Sequence, residues 1–287
     1  MTLYFAIAVA ASALMAVGLL MMKSRAASLP AARGRQTLRA LLAWLRDPIW
    51  IGGFGLQTAG FALYLLAVAN APISMIAVMM QGGIGLFVVL SVIVMRERAS
   101  RREWTGIVAI GAAMLMLSLS LDAGAPRGHL AVAALVLFSA FGLLTGVGAY
   151  LRGPARYDAL AAVAGLLFGF GSVYAKAMTD VFIADAAAPL ALRVVANPYV
   201  YLMAGANIAG IVVQQNAFRA GRGIIVMPIA SALSNVVPIV GGMIAFGEQL
   251  PEDPLAAATR IGAFTLTVVA AALLAATRDL SETSVPV

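Results

Sequence analysis

Two stretches decide how this chain folds: Asp47-Pro48-Ile49-Trp50-Ile51-Gly52-Gly53-Phe54-Gly55-Leu56-Gln57-Thr58-Ala59-Gly60 and Asn197-Pro198-Tyr199-Val200-Tyr201-Leu202-Met203-Ala204-Gly205-Ala206-Asn207-Ile208-Ala209-Gly210. Asp47-Pro48 recurs as Asn197-Pro198, and Gly55, Gln57 and Gly60 recur as Gly205, Asn207 and Gly210, all at an offset of 150. Outside these stretches the order holds. Glu97 recurs as Glu248 at 151, and Gly18 and Lys23 recur as Gly171 and Lys176 at 153. Each match is weak alone. Together, in one order and at one near-constant offset, they read as an internal repeat.

The medium of that repeat follows from composition. Of 287 residues, 62% are apolar and 11% charged, with a mean hydropathy of +0.98. Soluble domains have about 45–50% apolar and about 25% charged residues, so a water-soluble globule is excluded. Nine apolar segments follow along the chain: residues 3–22, 49–69, 73–95, 104–121, 129–151, 158–178, 199–218, 223–246 and 257–277. Each approximates the roughly 20 residues that a membrane-spanning helix needs. The first segment opens on Met1-Thr2-Leu3-Tyr4-Phe5, without the basic leader of a cleaved signal peptide.

Charge sets the orientation. Fifteen of the 19 lysines and arginines fall in the loops of one side, led by the stretch 23–48; Arg127, Lys176, Arg193 and Arg260 fall on the other. Basic loops stay cytoplasmic, which puts the N-terminus outside and the C-terminus inside a plasma membrane, the bacterial inner membrane in this reading. A tenth crossing through 181–196 would break the partition and is rejected. Five crossings precede segment six, so the second copy enters the bilayer from the opposite face. The expected fold is all-α: a polytopic membrane protein of nine transmembrane helices in two inverted four-helix repeats. Residues 1–122 form the first repeat and 157–287 the second, joined by a linking fifth helix within 123–156. Inverted repeats allow one bundle to rock against the other around a midplane site. Leu38, Leu41, Leu42 and Leu45 stand at helical spacing in the stretch 23–48, which predicts an amphipathic helix on the inner membrane face. Residues 179–198 read either as its outer counterpart or as a solvated loop.

Ala71-Pro72-Ile73-Ser74-Met75-Ile76, then Arg96-Glu97-Arg98, and later Phe246-Gly247-Glu248 resemble the drug/metabolite transporter superfamily. Within it the chain most resembles the NIPA-like magnesium-transporter family, through Gln214-Gln215-Asn216 and Val226-Met227-Pro228-Ile229 as well. The family's helix-3 proline, which would fall near Val78, is missing; Gln81, Gly82, Gly83 and Gly85 occupy that region. The resemblance implies a transporter of Mg²⁺. A small-metabolite exporter of the same superfamily and a non-transporting scaffold or lipid-binding subunit remain open alternatives.

Interior polar residues are the candidate substrate ligands: Gln57, Gln81, Asn207, Gln214, Ser231, Ser234 and Asn235. Gln57, Gly60 and Tyr64 share one helical face, as do Asn207, Gly210 and Gln214. They can bind a polar solute or a partly hydrated cation, or serve as interhelical hydrogen-bond glue. Pro228 and Pro238 mark a candidate helix break that would free carbonyls into a cavity. Glu97 and Glu248 are candidate gate or entry residues, with charged interfacial stops as the alternative. Glu252 and Asp253 beside Glu248 could concentrate cations at the outer mouth. Lys23 and Lys176 end their helices and read as snorkelling side chains or anion ligands. His129 opens segment five at the outer interface and is either structural or a pH sensor.

Cysteine is absent and histidine occurs once, which removes disulfides, thiolate metal centres and multi-histidine metal centres. No P-loop, no nucleophile with a base partner and no paired core carboxylates occur, so the chain is not expected to be an enzyme or to hold a cofactor. Nor does a carboxylate sit at a helix centre, which disfavours proton coupling. An inside-negative potential of 100 mV gives a divalent cation about 4.6 kcal/mol, enough to drive entry without a coupling ion. The expected partners are a small solute or Mg²⁺ and membrane lipid, with a homodimer left open and no nucleic acid; the net charge of +7 belongs to the inner loops.

Overall fold

The computed structural model describes residues 2–32, 34–70, 73–120, 130–152, 156–184, 189–247 and 252–282. Among these residues all regular structure is helical. The helices are α1 (Thr2–Ala26), α2 (Thr37–Arg46), α3 (Pro48–Asn70), α4 (Ile73–Val94), α5 (Arg101–Leu119) and α6 (Val132–Arg152), then α7 (Tyr157–Ala184), α8 (Leu190–Ala196), α9 (Pro198–Ala220), α10 (Gly223–Ala245) and α11 (Pro254–Glu282). Every apolar segment of the sequence becomes one long helix. Among the described residues, four stretches are long and apolar enough to cross a bilayer: Ala6–Ala26, Val132–Leu151, Tyr157–Met178 and Gly223–Ala245. The protein is a multi-pass membrane protein, helical in the regular structure of its described residues. The other long helices, α3, α4, α5, α9 and α11, have 23, 22, 19, 23 and 29 residues. At about 1.5 Å per residue, each is close to or above the roughly 30 Å of a hydrocarbon core.

The connecting stretches differ from expectation in detail. Helix α7 continues past residue 178 to Ala184, and α8 has only seven residues, so 179–198 is neither one surface helix nor a plain loop. In the 23–48 stretch, α2 forms where the leucine spacing predicts it. Its anchoring face, however, is Ala40 and Trp44, both buried, with the Trp44 indole N–H donating to the Pro30 carbonyl at 3.1 Å. Leu38, Leu42 and Leu45 point outward. An exposed leucine stripe beside arginines is the arrangement that a surface-lying helix presents to lipid.

The helix ends gather in two layers. In the basic layer, the Arg25 guanidinium at the end of α1 meets Asp47 before α3, at 2.8 Å. There too, Glu97 after α4 accepts from the Gly223 and Ile224 N–H groups that open α10, and Arg222 pairs with Glu103 in the first turn of α5. In the opposite layer, Arg260 of α11 donates to the Ser120 carbonyl after α5 at 2.6 Å. Ala131 N–H, before α6, donates to Ala245 of α10 at 2.8 Å, and the Asn197 amide before α9 donates to Met178 of α7 at 3.1 Å. Helices α3, α5 and α10 therefore start in the basic layer, where α1 and α4 end. Helix α9 runs opposite to α3, and α10 opposite to α4.

Contacts recur at the offsets seen in the sequence. Helix α1 packs on α3 and α4, and α7 packs on α9 and α10, while α5 pairs with α11 and α6 leans on α7 and α10. The closest approaches use glycine because nothing larger fits. A Cβ on Gly18 would lie 2.5 Å from the Gly53 carbonyl oxygen and 2.9 Å from the Gln57 nitrogen; one on Gly171 would lie 2.5 Å from the Asn207 amide. Gly60 abuts Met15, and Gly210 abuts Phe168. Gly83 sits on Ser12; 150 and 153 residues later, Leu233 sits on Gly165, with the small residue moved to the other partner.

The two quoted stretches start their helices alike. Asp47 Oδ1 accepts from the Ile49 and Trp50 N–H groups at 3.1 and 2.8 Å, and Asn197 Oδ1 accepts from Tyr199 N–H at 3.0 Å, each with proline next in the chain. An Asx cap followed by proline satisfies orphan donors while omitting one. The Arg25 guanidinium, hydrogen-bonded to Asp47, holds its carboxyl below the usual carboxylate range, aided by the Trp50 and Ile49 N–H groups and opposed by burial. A depressed folded value means that this stabilisation is present above the unfolded value, near 3.9, and is lost as pH falls through the folded one. Asp47→Ala should therefore cost about 1–2 kcal/mol at pH 7. The melting difference from wild type should close as pH falls below 4, whereas Asp47→Asn, which keeps the cap as Asn197 does, should lose less. A deficit independent of pH would refute the assignment.

Candidate functional site

The predicted amides stand on the helices expected. Gln57 on α3 and Asn207 on α9 are both half-buried. Asn207 lies over Gly171 and donates to the Met203 carbonyl at 2.8 Å. Gln57 stands one turn beyond Phe54, and Asn207 one turn before Ile211; Phe54 and Ile211 pack against one cluster containing Met22, Trp44 and Trp50. Because α3 and α9 run oppositely, both amides lie about one turn deeper than that cluster. Gln81 belongs to α4, but its side chain is outside the described residues, as are Glu248 and His129 entirely.

On α9 and α10 the polar groups are mostly satisfied by backbone. Gln214 is buried and donates to Met227 Sδ at 3.6 Å. Ser231 is buried, and its carbonyl accepts from Ser234 Oγ at 3.0 Å and from the Asn235 amide at 2.7 Å. Pro228 and Pro238 do not break α10, which runs unbroken from Gly223 to Ala245. Proline 238 lacks the N–H that Ser234 C=O would accept, and the side chains of Ser234 and Asn235 turn back to Ser231 in the same turn. Half-buried side-chain amides tied to their own helix by a single bond keep donors and acceptors for a solute.

Cavities lie against these helices among the described residues. One of about 460 Å³ opens between α6, α7 and α9, lined by Leu143, Val147, Leu166, Phe170 and Leu202 and by Tyr150, Tyr174 and Tyr201. Another, of about 70 Å³, lies between α1, α4 and α10 and is lined by Ser12, Met15, Gly83, Phe87 and Met227. Gln57, Asn207 and Asn235 line neither.

Among the described residues a dense polar cluster lies in the basic layer, where the sequence offered Glu97 as a gate residue or interfacial stop and Lys23 as a snorkelling side chain or anion ligand. Lys23 Nζ donates to the carbonyls of Phe218 and Gly221 at 2.6 and 2.5 Å and stands 3.8 Å from Glu97. The carboxylate of Glu97 binds both leading N–H groups of α10, at 2.9 and 3.0 Å. A helix C-terminus thus holds a cation and a helix N-terminus holds an anion, each matched to the sign of the helix dipole. Arg96 precedes Glu97 in the left-handed backbone region, at φ 56°, and Gly247 precedes Glu248 at φ 66°. That turn is unfavourable for arginine and sends Glu97 back beneath α10. Asn216, also buried, exchanges two hydrogen bonds with the Ala32 backbone. Lysine and carboxylate positions were visible in the sequence. Their partners were not, because those are main-chain groups of the turn between α9 and α10.

The chain is 25% identical over 236 residues to a probable magnesium transporter, NIPA9 of Arabidopsis thaliana. The relationship to NIPA-like proteins is real and distant. The match covers 76% of this chain and 66% of the relative, just under two thirds of that protein's length. No protein-family model and no solved structure matches the chain.

Proposed function

We propose that the protein is a transporter that moves Mg²⁺ by alternating access between two inverted four-helix units, residues 1–122 and 157–287, with 123–156 as the linking helix. The basic layer faces the cytoplasm, the N-terminus lies outside, and the membrane is a plasma membrane, the bacterial inner membrane in the reading above. The observation that carries the proposal is the recurrence of close helix contacts at offsets of 150 and 153 between helices that run in opposite senses. Inverted units give a site near the midplane that is reachable from either side. Gln57, Gln81 and Asn207 with Gln214, Ser231, Ser234 and Asn235 are its proposed ligands, and Pro228 and Pro238 its source of freed carbonyls. Glu97 and Glu248 are proposed at the inner and outer mouths. Among the described residues no three acidic, histidine or cysteine side chains gather as a metal site. A Mg²⁺ ion bound by amides and carbonyls would keep most of its water, as that ion prefers.

The 460 Å³ apolar cavity favours a second reading, export of a small amphiphilic metabolite, because its volume suits an organic ligand. Liposomes containing the purified protein and a trapped Mg²⁺ indicator separate the two. Under an inside-negative potential, Mg²⁺ should enter, and Gln57→Ala or Asn235→Ala should slow entry about tenfold, as loss of one hydrogen bond to a charged species predicts. Flux of a metabolite panel without Mg²⁺ would establish the second reading. Absence of any flux would end both.

A further inference from the structure

We propose that Lys23 locks the inner gate of the carrier, clamping the first unit onto the turn between α9 and α10; this rests on the alternating-access reading above. Lys23 belongs to α1, in the first unit. Both carbonyls that it holds, Phe218 and Gly221, belong to the second. The lysine and Glu97 side chains are 10% and 9% exposed, so their charges compensate each other away from bulk water. Glu97 in turn fixes the first turn of α10 across the same seam. Around this centre the seam is filled by apolar packing. Phe87 of α4 stacks on Phe218 of α9 with ring centroids 6.0 Å apart, and Phe87 and Ser91 face Gly223. Bundles that rock about a midplane site must part here when the site faces inward. Arg222 on Glu103 and Asn216 on Ala32 also cross the seam, but the Lys23 ammonium is the crossing group that neutralises the buried Glu97 carboxylate. Removing it takes away two charge-assisted hydrogen bonds and leaves Glu97 without its counter-ion, both of which favour the parted state.

Ser91 supplies the reporter. It is fully buried on α4 beside Gly223, its hydroxyl has no hydrogen-bond partner, and cysteine is nearly isosteric with it. The protein has no cysteine of its own, so a Ser91→Cys thiol is read without background. In the full-length protein in liposomes, a water-soluble maleimide should label this thiol slowly. Adding Lys23→Met should speed labelling about tenfold or more, the shift expected from losing hydrogen bonds to a charged group. Lys23→Arg should stay slow. Ala177→Cys, fully buried on α7 in the opposite layer, controls for general loosening and should label no faster with Lys23→Met than without it. If Lys23→Met does not yield folded protein, Glu97→Gln tests the same pair and should also speed labelling at position 91. Unchanged labelling in a folded Lys23→Met or Glu97→Gln protein, or equal acceleration at positions 91 and 177, overturns the proposal. The readout needs no substrate. Faster labelling in a protein without flux would leave the clamp standing and remove the carrier; flux with unchanged labelling would do the reverse.

Discussion

Gly18→Ala should lower the melting temperature of the purified protein, while Gly55→Ala on α3 should leave it unchanged or raise it. Both changes add one methyl group to a membrane-embedded helix and, on helix propensity alone, both should help, by about 0.5–1 kcal/mol. The difference lies in what the new carbon meets. At Gly18 it would stand 2.5 Å from the Gly53 carbonyl oxygen and 2.9 Å from the Gln57 nitrogen, both main chain, so no rotamer change relieves the clash. At Gly55 nothing lies within 4 Å. Forcing α1 away from α3 should cost about 3 kcal/mol, the upper part of the usual range for overpacking. Gly171→Ala should fall between the two, because its obstacle is the Asn207 side chain, which can rotate at the expense of its bond to Met203. Equal melting temperatures for the Gly18 and Gly55 variants would refute the close helix approach.

Asn216→Ala should be similarly damaging for a different reason. The side chain is 4% exposed and gives both of its functions to one residue: the amide donates to Ala32 C=O at 2.9 Å, and the carbonyl accepts from Ala32 N–H at 3.1 Å. Ala32 is itself buried. Truncation strands a backbone donor and an acceptor, each at about 1–3 kcal/mol, so a loss of about 2–6 kcal/mol is expected. Asn216→Asp should not rescue it, since a carboxylate would face the Ala32 carbonyl. Hydrogen exchange reads this locally: Ala32 N–H should exchange faster in the variant, while amides in the middle of α7 keep their protection. Unaltered exchange at Ala32 would show that water replaces the side chain without loss.

Helix existence was legible because lipid imposes it. A bilayer offers no hydrogen bonds, so each apolar run of about 20 residues has to close its backbone internally. That is why every run from 3–22 to 257–277 corresponds to a long helix, with errors confined to ends such as the extension of α7 to Ala184. The short α2 was legible as a helix but not in its contacts. Leucine spacing marks an apolar stripe without saying whether protein or lipid covers it, and here the protein takes the Trp44 side. The amides at 57 and 207 could be found as polar residues in apolar runs. The Lys23 clamp could not, since its acceptors are carbonyls of Phe218 and Gly221, and every residue carries a carbonyl. Asn216 was noticed only as part of a resemblance, and its partner Ala32 has no side-chain chemistry to advertise it.

The glycine contact between α1 and α3 also governs how movement can spread. Where two backbones touch directly there is no cushion of side chains to slide or deform, so the pair would tilt as one stiff rod. A rod about 30 Å long that swings by about 10° at one end carries the other through about 5 Å. A disturbance no larger than a lysine letting go of two carbonyls would thus be geared up, without any soft intermediate part, into a displacement at the far leaflet wider than a water molecule.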